Sequence, residues 1–146
     1  MNGMLNLGGN IYEVEECTET RFYIMESDEE EGTITVSVDI VFKEGEFEGE
    51  NVRPSICINE HETGVCDFSE LAGCAFSVES VEESEEREDT FYLFEHEPME
   101  NYQFTIMEMK ESKVHIVITG IAITDGYSDP YKTDEFSIDC WLPFFE

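Results

Sequence analysis

Basic residues are scarce in this chain: seven Lys and Arg stand against 36 Asp and Glu among 146 residues, a formal charge of -29 at neutral pH. Phosphate recognition works through Lys and Arg that displace counterions, so nucleic acid and anionic membrane are excluded as direct ligands. Long apolar runs are missing too; no stretch approaches the ~18 uninterrupted apolar residues of a membrane span. Residues 1–10 read Met-Asn-Gly-Met-Leu-Asn-Leu-Gly-Gly-Asn, without the basic and apolar regions of an export signal, and a cytoplasmic protein is expected. No Pro- or Gly-rich linker interrupts the sequence, so residues 1–146 are read as one acidic domain.

Motifs for catalysis are equally absent. There is no His-Glu-x-x-His, no Gly-x-Ser-x-Gly, no Walker loop and no Gly-x-Gly-x-x-Gly. Of the three histidines, His61 and His96 stand next to glutamates in polar, turn-like stretches, and His115 lies near the start of an apolar strand. Each is read as a surface or packed imidazole. Carboxylates are so abundant that two of them meeting in a fold carries no message, so a carboxylate-based enzyme ranks below a binding protein, and no cofactor is expected. Five cysteines, an odd number, without an export signal point to reduced thiols. Cys57, His61, Cys66 and Cys74 form a loose group of soft ligands, but zinc sites use a tight Cys-x2-Cys knuckle, and buried apolar thiols are expected instead.

What is present is enough to build a core: 40% of residues are apolar and 12% aromatic. Over residues 33–42, Ile34, Val36, Val38, Ile40 and Phe42 alternate with Thr33, Thr35, Ser37 and Asp39, the period-two pattern of a strand with one buried face. Residues 114–123 are apolar on both faces and rich in β-branched side chains, which predicts a central strand covered on both sides. Residues 4–7, 21–25, 55–59, 74–78, 90–95, 102–109 and 135–142 also read as strands, separated by polar or Gly-bearing turns. About eight strands with little helix predict an all-β, mainly antiparallel sandwich or open barrel. A short turn is expected over residues 68–73, after Asp67. Residues 80–89 have helical propensity, but their clustered like charges favour a loop.

The acids are spread evenly, with 18 acids and three bases in residues 1–73 and 18 acids and four bases in residues 74–146. A coat of this sign repels itself and attracts cations, so the expected partner is a basic protein. Residues 26–31 hold five acids and residues 79–89 hold seven, while Glu44, Glu46, Glu48 and Glu50 alternate along one face if that stretch is extended. Such runs serve either as solvated faces that keep strand edges from pairing or as docking surfaces. Glu82, Glu83, Glu85 and Glu86 are the candidate docking carboxylates. If Phe136, Ile138, Cys140 and Leu142 face the core, Ser137, Asp139 and Trp141 face outward. The single tryptophan beside Asp139 then suits a cationic or apolar knob, with Tyr127 and Tyr131 as further anchors.

One loop invites a metal. Residues 125–135 carry Asp125, Asp129, Asp134 and Glu135, and calcium takes six to eight oxygens from a flexible loop. Ser128-Asp129-Pro130-Tyr131, with Asp125 and a strand on each side, resembles the Ser-Asp-Pro-Tyr signature of C2 domains. The resemblance implies a calcium-dependent β-sandwich that binds through this loop. The match departs from the family pattern, because only eleven residues follow Glu135 and the second acidic loop is missing. The leading expectation is a non-enzymatic acidic inhibitor or immunity-type antidote that neutralises a basic protein such as a nuclease toxin. A calcium-dependent C2-like module is the alternative.

Overall fold

The computed structural model describes residues 3–145 and is 61% strand and 7% helical. Its strands are β1 (Gly3–Leu7), β2 (Asn10–Glu13), β3 (Arg21–Glu26), β4 (Ile34–Val41), β5 (Gly45–Phe47), β6 (Glu50–Val52) and β7 (Ser55–Glu62). They continue as β8 (Ala75–Val78), β9 (Thr90–Tyr92), β10 (His96–Glu97), β11 (Met99–Lys110), β12 (Lys113–Asp125) and β13 (Lys132–Phe145). A 3-10 turn at Phe68–Glu70, capped by Asp67 as expected, and one helix, α1 (Val81–Arg87), complete the described residues.

Eleven strands make one sheet in the order β10-β9-β7-β4-β3-β13-β12-β11-β8, with β1 against β13 and β2 against β1; β5 and β6 form a separate hairpin. The all-β class is as expected, but the sheet is mixed, because β13 runs parallel to β3 at Phe144 and Phe145. The fourteen residues of β13 allow this: β1 occupies one edge over residues 136–140, and β3 takes over the same edge near the strand's end. Handing that edge from one neighbour to the next curls the sheet into a half-barrel. Its two wings meet across the core, where Phe22 on β3 packs edge-on against Phe104 on β11 and Phe91 on β9 lies 5.3 Å from Phe136 on β13. Removing one such ring would cost about 3–5 kcal/mol.

Three expectations need correction. The strand count exceeds eight because β2, β5, β6 and β10 are two to four residues long, too short to display a period, while β9 covers only the first three residues of the strand read at 90–95. β12 is not covered on both faces: Val114, Ile116 and Ile118 are buried, His115 and Val117 are half-buried, and Thr119 is exposed. Its β-branched content reflects strand propensity more than burial. Lastly, residues 81–87 are helical despite their charge. Ser80 accepts from Glu83 N while the Glu83 carboxylate accepts from Glu79 N, a reciprocal cap, and Glu82 and Glu83 sit where the helix dipole favours anions.

Candidate functional site

α1 forms one wall of an open groove of about 930 Å3, which continues along the segment just before and into β11 and along the loop between β12 and β13. Glu79, Glu82, Glu85, Glu97, Glu100 and Asp129 all line it, and no Lys or Arg does. Val81, Pro98, Ile123 and Pro130 give it an apolar floor and sides. Tyr131 stands at its rim, where its hydroxyl donates to Glu100 Oε1 at 2.6 Å. A groove that is anionic, partly apolar and edged by a phenol is suited to a guanidinium or ammonium group on an aliphatic stem.

The expected docking residues divide on this frame. Glu82, Glu85 and Tyr131 line the groove. Glu83 is engaged in the helix cap, Glu86 lies outside the lining, and Tyr127 projects from the neighbouring loop, 83% exposed. Trp141 and Asp139 lie elsewhere. They belong to the far part of β13, about 30 Å (Trp141) and about 23 Å (Asp139) from Lys132 by strand rise. There Trp141 stacks on its cross-strand neighbour His115 with ring centroids 5.0 Å apart, and His115 Nε2 bonds Asp139 Oδ1 at 2.7 Å. One knob on a partner cannot reach both places.

Neither candidate metal set assembles among the described residues. Asp125 is engaged as a turn cap, accepting from Tyr127 N and from the Ser128 hydroxyl, and these bonds hold its carboxyl below the usual range. Asp129 faces the groove, whereas Asp134 and Glu135 are adjacent on a strand and so point to opposite faces. Asp134 packs beside Gly8, and burial together with the charge of Glu48 pushes its carboxyl up. Of the soft-ligand group, Cys66 is exposed and the Cys74 thiol bonds Glu70 O, while burial pushes Cys57 up to about 12. Among the described residues no three His, Cys, Asp or Glu side chains converge to hold a metal ion.

The groove rests on a buried polar knot that sequence reading missed. Asp89, 1% exposed, accepts from Asn59 N (2.8 Å), Arg87 Nε (2.7 Å) and the Tyr102 hydroxyl (2.5 Å). Arg87 spends its other nitrogens on the carbonyls of Asn59 and Glu60, and the Asn59 amide donates back to the carbonyls of Arg87 and Glu88. Because Tyr102 donates to Asp89, its oxygen receives the Nε2 proton of His61, 2.8 Å away. His61 stacks on Phe76 at 4.8 Å, and burial, reinforced by the charge of Arg87, lowers its pKa to about 4. The knot therefore locks the C-terminal end of α1 to β7 and β11. One clue was legible: Arg87 is the only base in the run 79–89.

No family model matches the chain, and neither a curated protein nor a solved structure matches it significantly.

Proposed function

We propose that this chain is a non-enzymatic acidic binding protein of the inhibitor or antidote kind, which captures a basic protein by receiving Lys or Arg side chains in the groove beside α1. One observation carries the reading: six carboxylates face a single partly apolar concavity that no cation lines. The field of the whole coat would speed encounter, and the concavity would choose where the partner seats. Five free cysteines fit a reducing, cytoplasmic setting. Among the described residues no helix is long and apolar enough to cross a membrane.

A hexa-arginine peptide tests whether the groove is distinct from the coat. Glu82→Gln/Glu85→Gln/Glu100→Gln removes three groove charges; Glu29→Gln/Glu30→Gln/Glu31→Gln removes three from an exposed turn. With exposed pairs contributing about 0.2–1 kcal/mol each, the groove variant should bind about tenfold more weakly and the turn variant at most about twofold. Equal losses would reduce the acids to an undirected coat and overturn the reading.

A further inference from the structure

The outward face of the β11, β12 and β13 wing differs in chemistry from the rest of the surface. A shallow cleft of about 590 Å3 opens there, within the size range of small-molecule sites. Asn6, Asn101, Thr119 and Ser137 line it with amides and hydroxyls, and Glu135 is its single carboxylate. At Gly120 a Cβ would lie 2.3 Å from Asn101 O and 2.8 Å from Tyr102 Cα, so the strands approach too closely there for a side chain. Asn6 is held at the rim because its Oδ1 accepts from Gly9 N at 2.9 Å.

The cleft ends at Ser137, and the outward face of β13 continues beyond it. Residues 137, 139 and 141 project on the same side, which places Trp141 about 13 Å from Ser137. Thr119 pairs with Ser137, Val117 with Asp139, and His115 with Trp141. The track thus runs from hydroxyls and amides, past a His115 and Asp139 pair, to an aromatic ring.

Several ligand classes are poor fits. Anionic ligands meet a chain of charge -29. A peptide cannot add as a strand, because β12 is paired on both sides and its backbone groups are taken. A basic side chain finds one carboxylate here and six in the neighbouring groove. A neutral, hydroxyl-rich ligand is indifferent to the field, bonds to amides and hydroxyls, and lays its slightly positive C–H face on the negative face of an indole.

We propose that this face binds a neutral oligosaccharide, with Asn6, Asn101, Thr119 and Ser137 hydrogen-bonding its hydroxyls and Trp141 stacking a sugar ring. The site is separate from the basic-partner reading and stands or falls without it.

The chain has one tryptophan, so its fluorescence reports this face directly. The probes are neutral pentasaccharides of α-1,4- and β-1,4-linked glucose, β-1,4-linked xylose, mannose and N-acetylglucosamine, with a β-1,4-linked glucosamine pentamer as the cationic control. Titration at low and high salt, with calorimetry in parallel, should give saturable binding of at least one neutral probe, unchanged by salt. Ser137→Leu, which fills the cleft from an exposed position, should weaken calorimetric binding at least about tenfold, as should Trp141→Ala. Unchanged urea midpoints and circular dichroism would show that each variant folds. The proposal is overturned if no neutral probe binds, if Ser137→Leu binds as well as the parent, or if only the glucosamine pentamer binds and salt abolishes it.

Discussion

Acidification should weaken the fold through His61 before it touches most of the carboxylates. The ring is held neutral because its Nε2 proton goes to Tyr102, whose own proton goes to Asp89; a second ring proton would put a cation into a buried site near Arg87. The unfolded chain takes up that proton near the ordinary value of 6.5, whereas the folded chain resists until about 4. Since the unfolded state binds more protons between these values, stability is fully present above pH 6.5, falls as pH drops through the window, and levels off below about 4. At pH 5 the loss from this one group is about 2 kcal/mol, a large part of a marginal stability. The acidic coat acts the other way, since protonated carboxylates no longer repel one another. Comparison with His61→Gln separates the two effects, because glutamine can still donate to Tyr102 but does not titrate. Urea midpoints at pH 7.5 and pH 5 should show the parent losing about 2 kcal/mol relative to the variant. Parallel behaviour of the two proteins would refute the neutral, buried assignment of His61.

Two further outcomes follow from the same contacts. Arg87→Met leaves the Asp89 charge buried without its ion-pair partner and should cost about 3–5 kcal/mol in urea denaturation, with Arg87→Met/Asp89→Asn recovering part of the loss; a cost below about 1 kcal/mol would mean that the knot is not a stabilising unit. Calcium and magnesium at equal millimolar concentrations should raise the melting temperature equally, by relieving self-repulsion. A calcium-specific rise lost in Asp129→Asn would show that the loop after β12 holds the ion.

Strand periodicity was readable wherever one face meets the core over many residues. Phe136, Ile138, Cys140 and Leu142 are all buried and Ser137 and Asp139 exposed, as their alternation implied; β4 keeps its alternation from Val36 to Phe42, but before that Thr33 and Thr35 are buried and Ile34 is half-buried, against the expected pattern. The pattern was silent where identity depends on tertiary contacts. β7 runs on through His61 to Glu62, although His61 and Glu62 have the composition of a turn; what holds His61 there is Phe76 and Tyr102, distant in sequence. The hairpin of β5 and β6 turns on Glu48 and Gly49, both at positive φ, and buries only Phe47 and Val52. α1 was hidden because like charges argue against a helix locally, whereas its cap and the Arg87 anchor argue for it. For the site, composition made the coat obvious and its geometry opaque. With 36 acids available, which six share a groove is decided by how β11, α1 and the loop after β12 come together.

That convergence depends on the knot more than on the groove residues themselves. A helix of seven residues is far below the length that holds its shape alone in water, so α1 cannot owe its position to propensity. Its entry is fixed by Ser80 and Glu83, and Ser84 on its buried side accepts from Met99 N at the start of β11. Its exit is fixed by Glu88 in the left-handed region, by the Asn59 amide on its last carbonyls, and by Arg87 and Asp89. Glu82 and Glu85 therefore project from a support whose rigidity comes from groups on the opposite side of the helix. This division explains how mutually repelling carboxylates are held close: buried bonds made elsewhere offset the repulsion, and the groove is already formed before any cation arrives.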